Sequence, residues 1–216
     1  LDRGIACVSW HSWRRLQSPE WFDDELCNAF LSQVNCATSE VCCVPSHFVG
    51  CLVAGAMAHV RLARLFIPGC HTDNAFWDRL PLLLFPVHVN GNHWALIAME
   101  CKAGCISLKQ YDSLQKVHPS TRQMQAVLKE FRVFLRSMGW QGEIADCVED
   151  GPQQSNGHDC GPYMLATALV LALGRALCDC AGLFENMMNT RGRIGDVIKA
   201  VPSSISSLEA LWSFFS

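Results

Sequence analysis

The sequence has no excess of positive charge and few charged residues of either sign. It carries 17 Lys and Arg against 20 Asp and Glu among 216 residues, so the formal net charge is −3. Proteins that bind nucleic-acid backbones do so with clusters of Lys and Arg, which this composition does not provide. We therefore expect no nucleic-acid partner.

Long apolar segments are also missing. A membrane-spanning helix needs about 18 consecutive apolar residues, and the best candidate, from Met164 to Leu173, is ended by Gly174 and Arg175. No signal peptide is visible, but the first residue is Leu, so we expect the chain to be a piece of a longer protein. We expect no membrane partner.

The sequence lacks the paired CxxC spacing of a zinc site, although it contains 13 cysteines. The closest approaches, Cys101 with Cys105 and Cys178 with Cys180, do not have that spacing, so we expect no metal and no cofactor. Cys51 and Cys178 fall in apolar runs that predict helices, where free cysteine behaves as a small buried hydrophobe. This placement favours a reducing compartment, the nucleus or cytoplasm, over a disulfide framework.

Half of the residues are hydrophobic, enough for a substantial core, and no repeat or linker is visible. We expect a single monomeric domain over residues 1–216, with a core at about 18–200. Residues 1–17 are expected to form a strand or a docking segment.

Hydrophobic periodicity predicts an α+β fold, with helices packed on a small central sheet. A helix is expected after Trp21 with Asp23 as its cap, and another runs from Ser46 to Arg64. The remaining elements are strands at 82–89, 94–100 and 105–111, a helix at 120–138, a strand at 142–148, and helices at 162–177, 193–200 and 207–215.

The loop from Gly151 to Gly161 is rich in amide and turn residues, and its Cys160 opens an apolar helix. A helix N-terminus carries unpaired N–H groups and partial positive charge, both of which stabilise a thiolate. Cys160 is therefore the candidate nucleophile. The alternative, that Cys160 only begins the helix and has no catalytic role, stays open.

A thiol nucleophile also needs a base, and the strand register indicates one. If Ala103 and Gly104 form a two-residue turn, His93 and Asp112 lie on the same face of the sheet, one diagonal step apart. A turn one residue earlier sets them directly opposite each other. A histidine oriented by a carboxylate is half of a nucleophilic triad.

Five motifs occur in an order that resembles the ubiquitin-like-protein-specific proteases, the family of sentrin- or SUMO-deconjugating cysteine proteases. The motifs are Trp21-Phe-Asp-Asp24-Glu, Pro86-Val-His-Val, His93-Trp94-Ala-Leu-Ile, Tyr111-Asp112-Ser113-Leu114 and Pro152-Gln-Gln-Ser-Asn-Gly-His-Asp-Cys160-Gly161. The resemblance covers the chain from Trp21 to beyond Arg191 and implies the papain-like fold of this protease type, with a small mixed sheet.

The resemblance implies roles for seven residues. Cys160 corresponds to the nucleophile, His93 to the general base, Asp112 to the residue that orients it, and Gln154 to the oxyanion-hole glutamine. Trp94 and Trp21 correspond to the two walls around the substrate's terminal glycines, and Asp24 to a contact with the modifier. A core tryptophan or a helix-dipole carboxylate is the alternative for the last three.

The expected activity is that of a cysteine protease or isopeptidase that cleaves after the C-terminal Gly-Gly of SUMO. Its partner is then SUMO and its conjugates. The segment from Cys36 to Cys70 is richer in cysteine and small residues than is usual in the family, so the modifier stays open between SUMO, a Nedd-type protein and ubiquitin. An acyltransferase of related architecture and a binding module that does not cleave are the further alternatives.

Overall fold

The computed structural model describes residues 8–67, 77, 82–115, 121–200 and 205–215. A five-stranded mixed sheet has the order β1-β2-β3-β4-β5. Its strands are β1 (Val41–Cys43), β2 (Leu82–Val89), β3 (His93–Lys102), β4 (Cys105–Tyr111) and β5 (Glu143–Val148). The central pairs β2–β3 and β3–β4 are antiparallel, and β1 and β5 join the edges in parallel.

Helices cover both faces of this sheet. In chain order they are α1 (Trp10–Arg14), α2 (Asp24–Ala37), α3 (His47–Val53), α4 (His59–Phe66), α5 (Thr121–Ser137), α6 (Cys160–Ala172), α7 (Gly182–Glu185), α8 (Met187–Lys199) and α9 (Leu208–Trp212). The sheet and its helices confirm the α+β prediction. None of the helices in the described residues is long and apolar enough to cross a bilayer.

The side chains of β3 alternate between two hydrophobic clusters, as strand geometry requires. Leu96 and Ala98 join the cluster beneath α2, α6 and α8. Ala95 and Ile97 join the cluster beneath α3, α4 and α5. The apolar stripe formed by α5 and the turn after it is buried: Met124, Val127, Leu128, Phe131, Phe134, Leu135 and Met138.

The β3–β4 turn has the register that brings the candidate base and carboxylate together. Lys102 pairs with Cys105 and Leu96 with Tyr111, which confirms a two-residue turn at Ala103 and Gly104. Both turn residues have positive φ, 50° and 76°, as a type I′ hairpin turn requires.

Several predicted boundaries are wrong. The described part of the N-terminal segment is helical, since Arg15–Gln17 continue α1 as a 3₁₀ turn, and it is not a strand. The helix predicted from Ser46 to Arg64 is broken into α3 and α4 at Gly55, whose φ is +59°. Residues 1–7 and the predicted helix start at 120 lie outside the described residues.

The helix predicted at 162–177 begins earlier and ends earlier than expected. It starts at Cys160 and ends at Ala172, because Gly174 adopts a φ of +64°. Cys178 consequently lies exposed in the following 3₁₀ turn, Leu177–Cys180, rather than buried in a helix.

We expect Gly104→Ala to lower the free energy of unfolding by about 1 kcal/mol, because φ at this position is strained for any residue with a Cβ. The matched control is Gly192→Ala in α8, which meets nothing within 4 Å and has an ordinary helical φ. It should raise stability by about 0.5–1 kcal/mol. Urea unfolding measures both, and changes of the same sign would contradict this reading of the turn.

Candidate active site

His93 and Asp112 make a buried hydrogen bond. The imidazole Nε2 lies 2.7 Å from Asp112 Oδ1, and both residues are less than a tenth exposed. The same carboxylate oxygen accepts the backbone N–H of Leu114 at 2.8 Å, which holds Asp112 in place. His93 begins β3 and Asp112 directly follows β4. The register of this hairpin therefore brings the two side chains together.

Cys160, the first residue of α6, interacts with the same imidazole. Burial alone would lower the pKa of His93. The hydrogen bond and charge of Asp112, together with the hydrogen bond and charge of Cys160, outweigh burial and raise the pKa to about 9. The other ring nitrogen, Nδ1, is buried and makes no conventional hydrogen bond to the described residues. That nitrogen is therefore available to the thiol, in the looser geometry usual before substrate binds.

Burial raises the thiol pKa of the other buried cysteines. Burial raises the pKa of Cys42 to about 11, and burial first, then the negative charges of Asp23 and Cys160, raise that of Cys27 well above its ordinary value. These thiols stay protonated and are poor nucleophiles. Cys160 lies instead at the first turn of α6 and interacts with the imidazole of His93.

Gln154 is buried and lies in a loop that is fastened to the strand end carrying Asp112. Its backbone N–H donates to Ser113 O at 2.9 Å, and Ser113 Oγ donates to Gln154 Oε1 at 2.6 Å. Gln154 Nε2 donates to Asn156 O at 2.6 Å. Among the described residues this leaves its second N–H available for a substrate oxyanion.

Trp94 and Trp21 line one cavity of about 370 Å³, which Asp24, His47 and His88 also border. Trp94 is only 3% exposed and donates its indole N–H to Phe22 O at 2.8 Å. It also contacts the His88 ring, with ring centroids 4.5 Å apart and the ring planes tilted by 34°. Trp94 therefore packs in the core and also lines the cavity, and its role as a substrate wall stays a prediction.

Trp21 is 44% exposed, and its indole N–H donates to Gly157 O in the loop before Cys160. Asp24 is the first residue of α2, and the cap is Asp23, whose carboxylate accepts Leu26 N–H at 3.1 Å. Trp21 and Asp24 thus both border the cavity, whose lining does not include His93 or Asp112.

Sequence reasoning missed Arg191 and Asp159. Asp159 Oδ1 accepts Arg191 Nε at 2.8 Å, and Asp159 Oδ2 accepts Asn156 Nδ2 at 2.7 Å. A signal was present, since Arg191 falls at helical spacing from Met187, Ile194 and Ile198 and hence on the buried face of α8.

More than half of the chain matches one known protein family. Residues 69–189 match the model of the Ulp1 protease family, C-terminal catalytic domain. The chain belongs to this family and is a cysteine peptidase domain of that type, in agreement with the resemblance of its motifs.

A curated relative, sentrin-specific protease 5 of Mus musculus, is 32% identical over an alignment of 103 residues, and the match covers 43% of this chain. The match spans only 12% of that relative.

Two solved structures share the fold. The C-terminal Ulp1 protease domain in complex with SMT3, the yeast ortholog of SUMO, has a TM-score of 0.67 at 19% identity, over 88% of this chain and 82% of that one. The Xanthomonas campestris effector XopD bound to ubiquitin has a TM-score of 0.56 at 21% identity, over 84% and 91%.

We expect Asp112→Asn to lower the pKa of His93, because it removes the carboxylate that raises the value while burial remains. In the wild-type chain, NMR titration should show an imidazole midpoint near pH 9, and in the variant a midpoint at lower pH.

Asp146→Asn is the matched control, because Asp146 pairs with Arg132 at the sheet edge. It should leave the His93 midpoint unchanged. An unchanged midpoint in Asp112→Asn would show that the carboxylate does not raise the pKa of His93.

Proposed function

We propose that this chain is a SUMO-specific cysteine protease or isopeptidase that cleaves after the modifier's C-terminal Gly-Gly. One observation carries the proposal: the buried His93 ring donates a hydrogen bond to the Asp112 carboxylate and also interacts with Cys160. Family membership and the SUMO-linked names of a relative and a solved structure support the substrate class.

In the first half of the proposed reaction, the Cys160 thiolate attacks the carbonyl carbon of the terminal glycine. The Gln154 side-chain N–H and the Cys160 backbone N–H stabilise the oxyanion that forms. The bond between carbonyl carbon and nitrogen then breaks, and His93 gives its proton to the leaving amine. A thioester and a free amine result.

In the second half, His93 takes a proton from water as the water oxygen attacks the thioester. The carbon–sulfur bond breaks, the thiolate is restored, and the modifier leaves as a carboxylic acid that gives its proton to solvent. Asp112 stays ionised throughout and orients the imidazole, and its charge stabilises the imidazolium form.

The cavity between Trp94 and Trp21 suits a tail of two glycines. Glycine has no side chain to recognise, so selectivity comes from excluding residues that carry a Cβ. Two flat indoles along the tail would also hold it in position and limit the water around it. Asp24, which also borders this cavity, is proposed to contact the modifier.

Ubiquitin is the second candidate modifier, since a protein of this fold is described as bound to ubiquitin. Fluorogenic substrates made from SUMO, a Nedd-type modifier and ubiquitin separate the candidates by their kcat/KM. The proposal is supported if only the SUMO substrate is turned over, or if its kcat/KM is the highest of the three. A requirement for acetyl-CoA would indicate an acyltransferase, and binding without turnover would indicate a non-cleaving module.

We expect Cys160→Ala to lower turnover of the SUMO substrate by at least about 10⁴-fold while modifier binding persists, because only the nucleophile is lost. Cys147→Ala is the control, since Cys147 is an exposed cysteine on β5, and it should match the wild type. Cleavage by Cys160→Ala within about 10-fold of the wild-type rate would contradict the assignment of the nucleophile.

We expect Trp21→Ala to lower kcat/KM by about 10-fold or more with little change in thermal midpoint, because this half-exposed indole forms one wall of the cavity. Trp10→Ala is the control, since Trp10 is 73% exposed on α1. It should leave kcat/KM unchanged. Equal kcat/KM in both variants would remove Trp21 from the substrate site.

A further inference from the structure

Arg191 is the largest charged group enclosed by the described part of the protein. Its side chain is 0% exposed, and its guanidinium is held entirely by polar atoms of other segments. Nε donates to Asp159 Oδ1 at 2.8 Å. Nη1 donates to the carbonyls of Arg15 and Ser18 at 2.8 and 3.0 Å, and Nη2 to those of Glu20 and His158 at 2.9 and 3.1 Å.

A guanidinium has five N–H donors, and here each one has its own acceptor. The acceptors come from two segments. Three carbonyls belong to residues 15–20, which lead directly into Trp21 and Phe22. The other two acceptors belong to His158 and Asp159, directly before Cys160. One side chain of α8 therefore joins the cavity wall to the nucleophile loop.

Further contacts tie the same two segments together. The Arg191 guanidinium carbon lies 4.8 Å over the Phe22 ring, and Phe22 O accepts the indole N–H of Trp94. A Cβ added to Gly161 would come within 2.6 Å of the Phe22 Cβ. The residue after the nucleophile is therefore in close contact with the wall, and a small shift of either segment would displace the thiol.

The link also reaches the candidate oxyanion site. Asp159 Oδ2 accepts Asn156 Nδ2 at 2.7 Å, and Asn156 O accepts Gln154 Nε2 at 2.6 Å. Asn156 Oδ1 in turn accepts the backbone N–H groups of His158 and Asp159, both at 3.0 Å. The position of the guanidinium thus affects Gln154 and Cys160 together.

We infer that Arg191 is a positioning residue for the proposed reaction: it sets the distance between the wall carrying Trp21 and the loop carrying Gln154 and Cys160. A buried ion pair by itself is weak support for stability, because desolvation offsets its attraction. What Arg191 adds is a planar fork of donors that fixes two backbone segments at once, and lysine cannot reproduce that fork. The turnover readout rests on the proposed function.

Arg191→Lys separates the positioning role from simple charge compensation. The ammonium can still pair with Asp159, but it cannot span the carbonyls of Arg15, Ser18 and Glu20. Arg193→Lys is the matched control, since Arg193 lies on the same helix and donates to Phe215 O. Active molecules are counted by titration with a SUMO C-terminal propargylamide, kcat is expressed per active molecule, and KM is taken from the same rate curves.

We expect Arg191→Lys to lower kcat by about 10-fold or more with KM within about 3-fold, because the reacting groups are displaced while the modifier's main contacts remain. Arg193→Lys should stay within about 2-fold on both. A kcat of Arg191→Lys within about 3-fold of wild type overturns the inference, whatever its thermal midpoint, and so does an equal fall in Arg193→Lys.

A second readout needs no modifier. Alkylation of Cys160 by iodoacetamide, followed by peptide mapping, should slow by about 10-fold in Arg191→Lys and not in Arg193→Lys, because the thiol is moved from His93. If the wild type cleaves no modifier, the proposed function fails and alkylation alone still decides the role of Arg191.

Asp159→Asn keeps the arginine and removes its anionic partner, and it replaces Arg191→Lys if that variant does not fold. Its alkylation rate should also fall, and an unchanged rate would overturn the inference.

Discussion

The site depends on one buried hydrogen bond, between His93 Nε2 and Asp112 Oδ1. A histidine at this depth would favour its neutral form, because burial penalises charge. The carboxylate reverses that preference, and with Cys160 it raises the pKa of His93 to about 9. The ring therefore stays protonated at neutral pH and can stabilise a thiolate beside it.

That hydrogen bond requires a fixed register between two strands. β3 and β4 are joined by a two-residue turn of residues with positive φ, and a slip by one position would move every β4 side chain to the other face of the sheet. β4 opposes such a slip because it buries Ile106 and Leu108 in one core and packs Tyr111 against the other. Packing on both faces of the sheet thus fixes the geometry of a polar pair at its end.

Much of this could be predicted from sequence because local physics determines it. The strand bounds of β2 and β4, the cap at Asp23 and the apolar stripe of α5 follow from periodicity and turn chemistry. The break at Gly55 and the early end of α6 were missed, because a glycine inside an apolar pattern does not reveal its φ.

Long-range contacts could not be predicted from the sequence, because they leave little local signal in it. The bonds of Arg191 to Arg15 and Ser18 span more than 170 positions of the chain. The indole bond of Trp94 to Phe22 O spans 72. Neither pairing has a local signal beyond the placement of Arg191 on an apolar helix face. The fold alone makes the cavity wall and the nucleophile loop neighbours.

Covalent capture tests the central claim most directly: that Cys160, among the 13 cysteines of the sequence, is the thiol activated for attack at a modifier's terminal glycine. The measurement is peptide mapping by mass spectrometry after incubation with a SUMO C-terminal propargylamide at neutral pH. The account predicts a single adduct, on Cys160, and its loss on denaturation of the chain before treatment. An adduct on another cysteine, or no adduct from the folded chain, would contradict it.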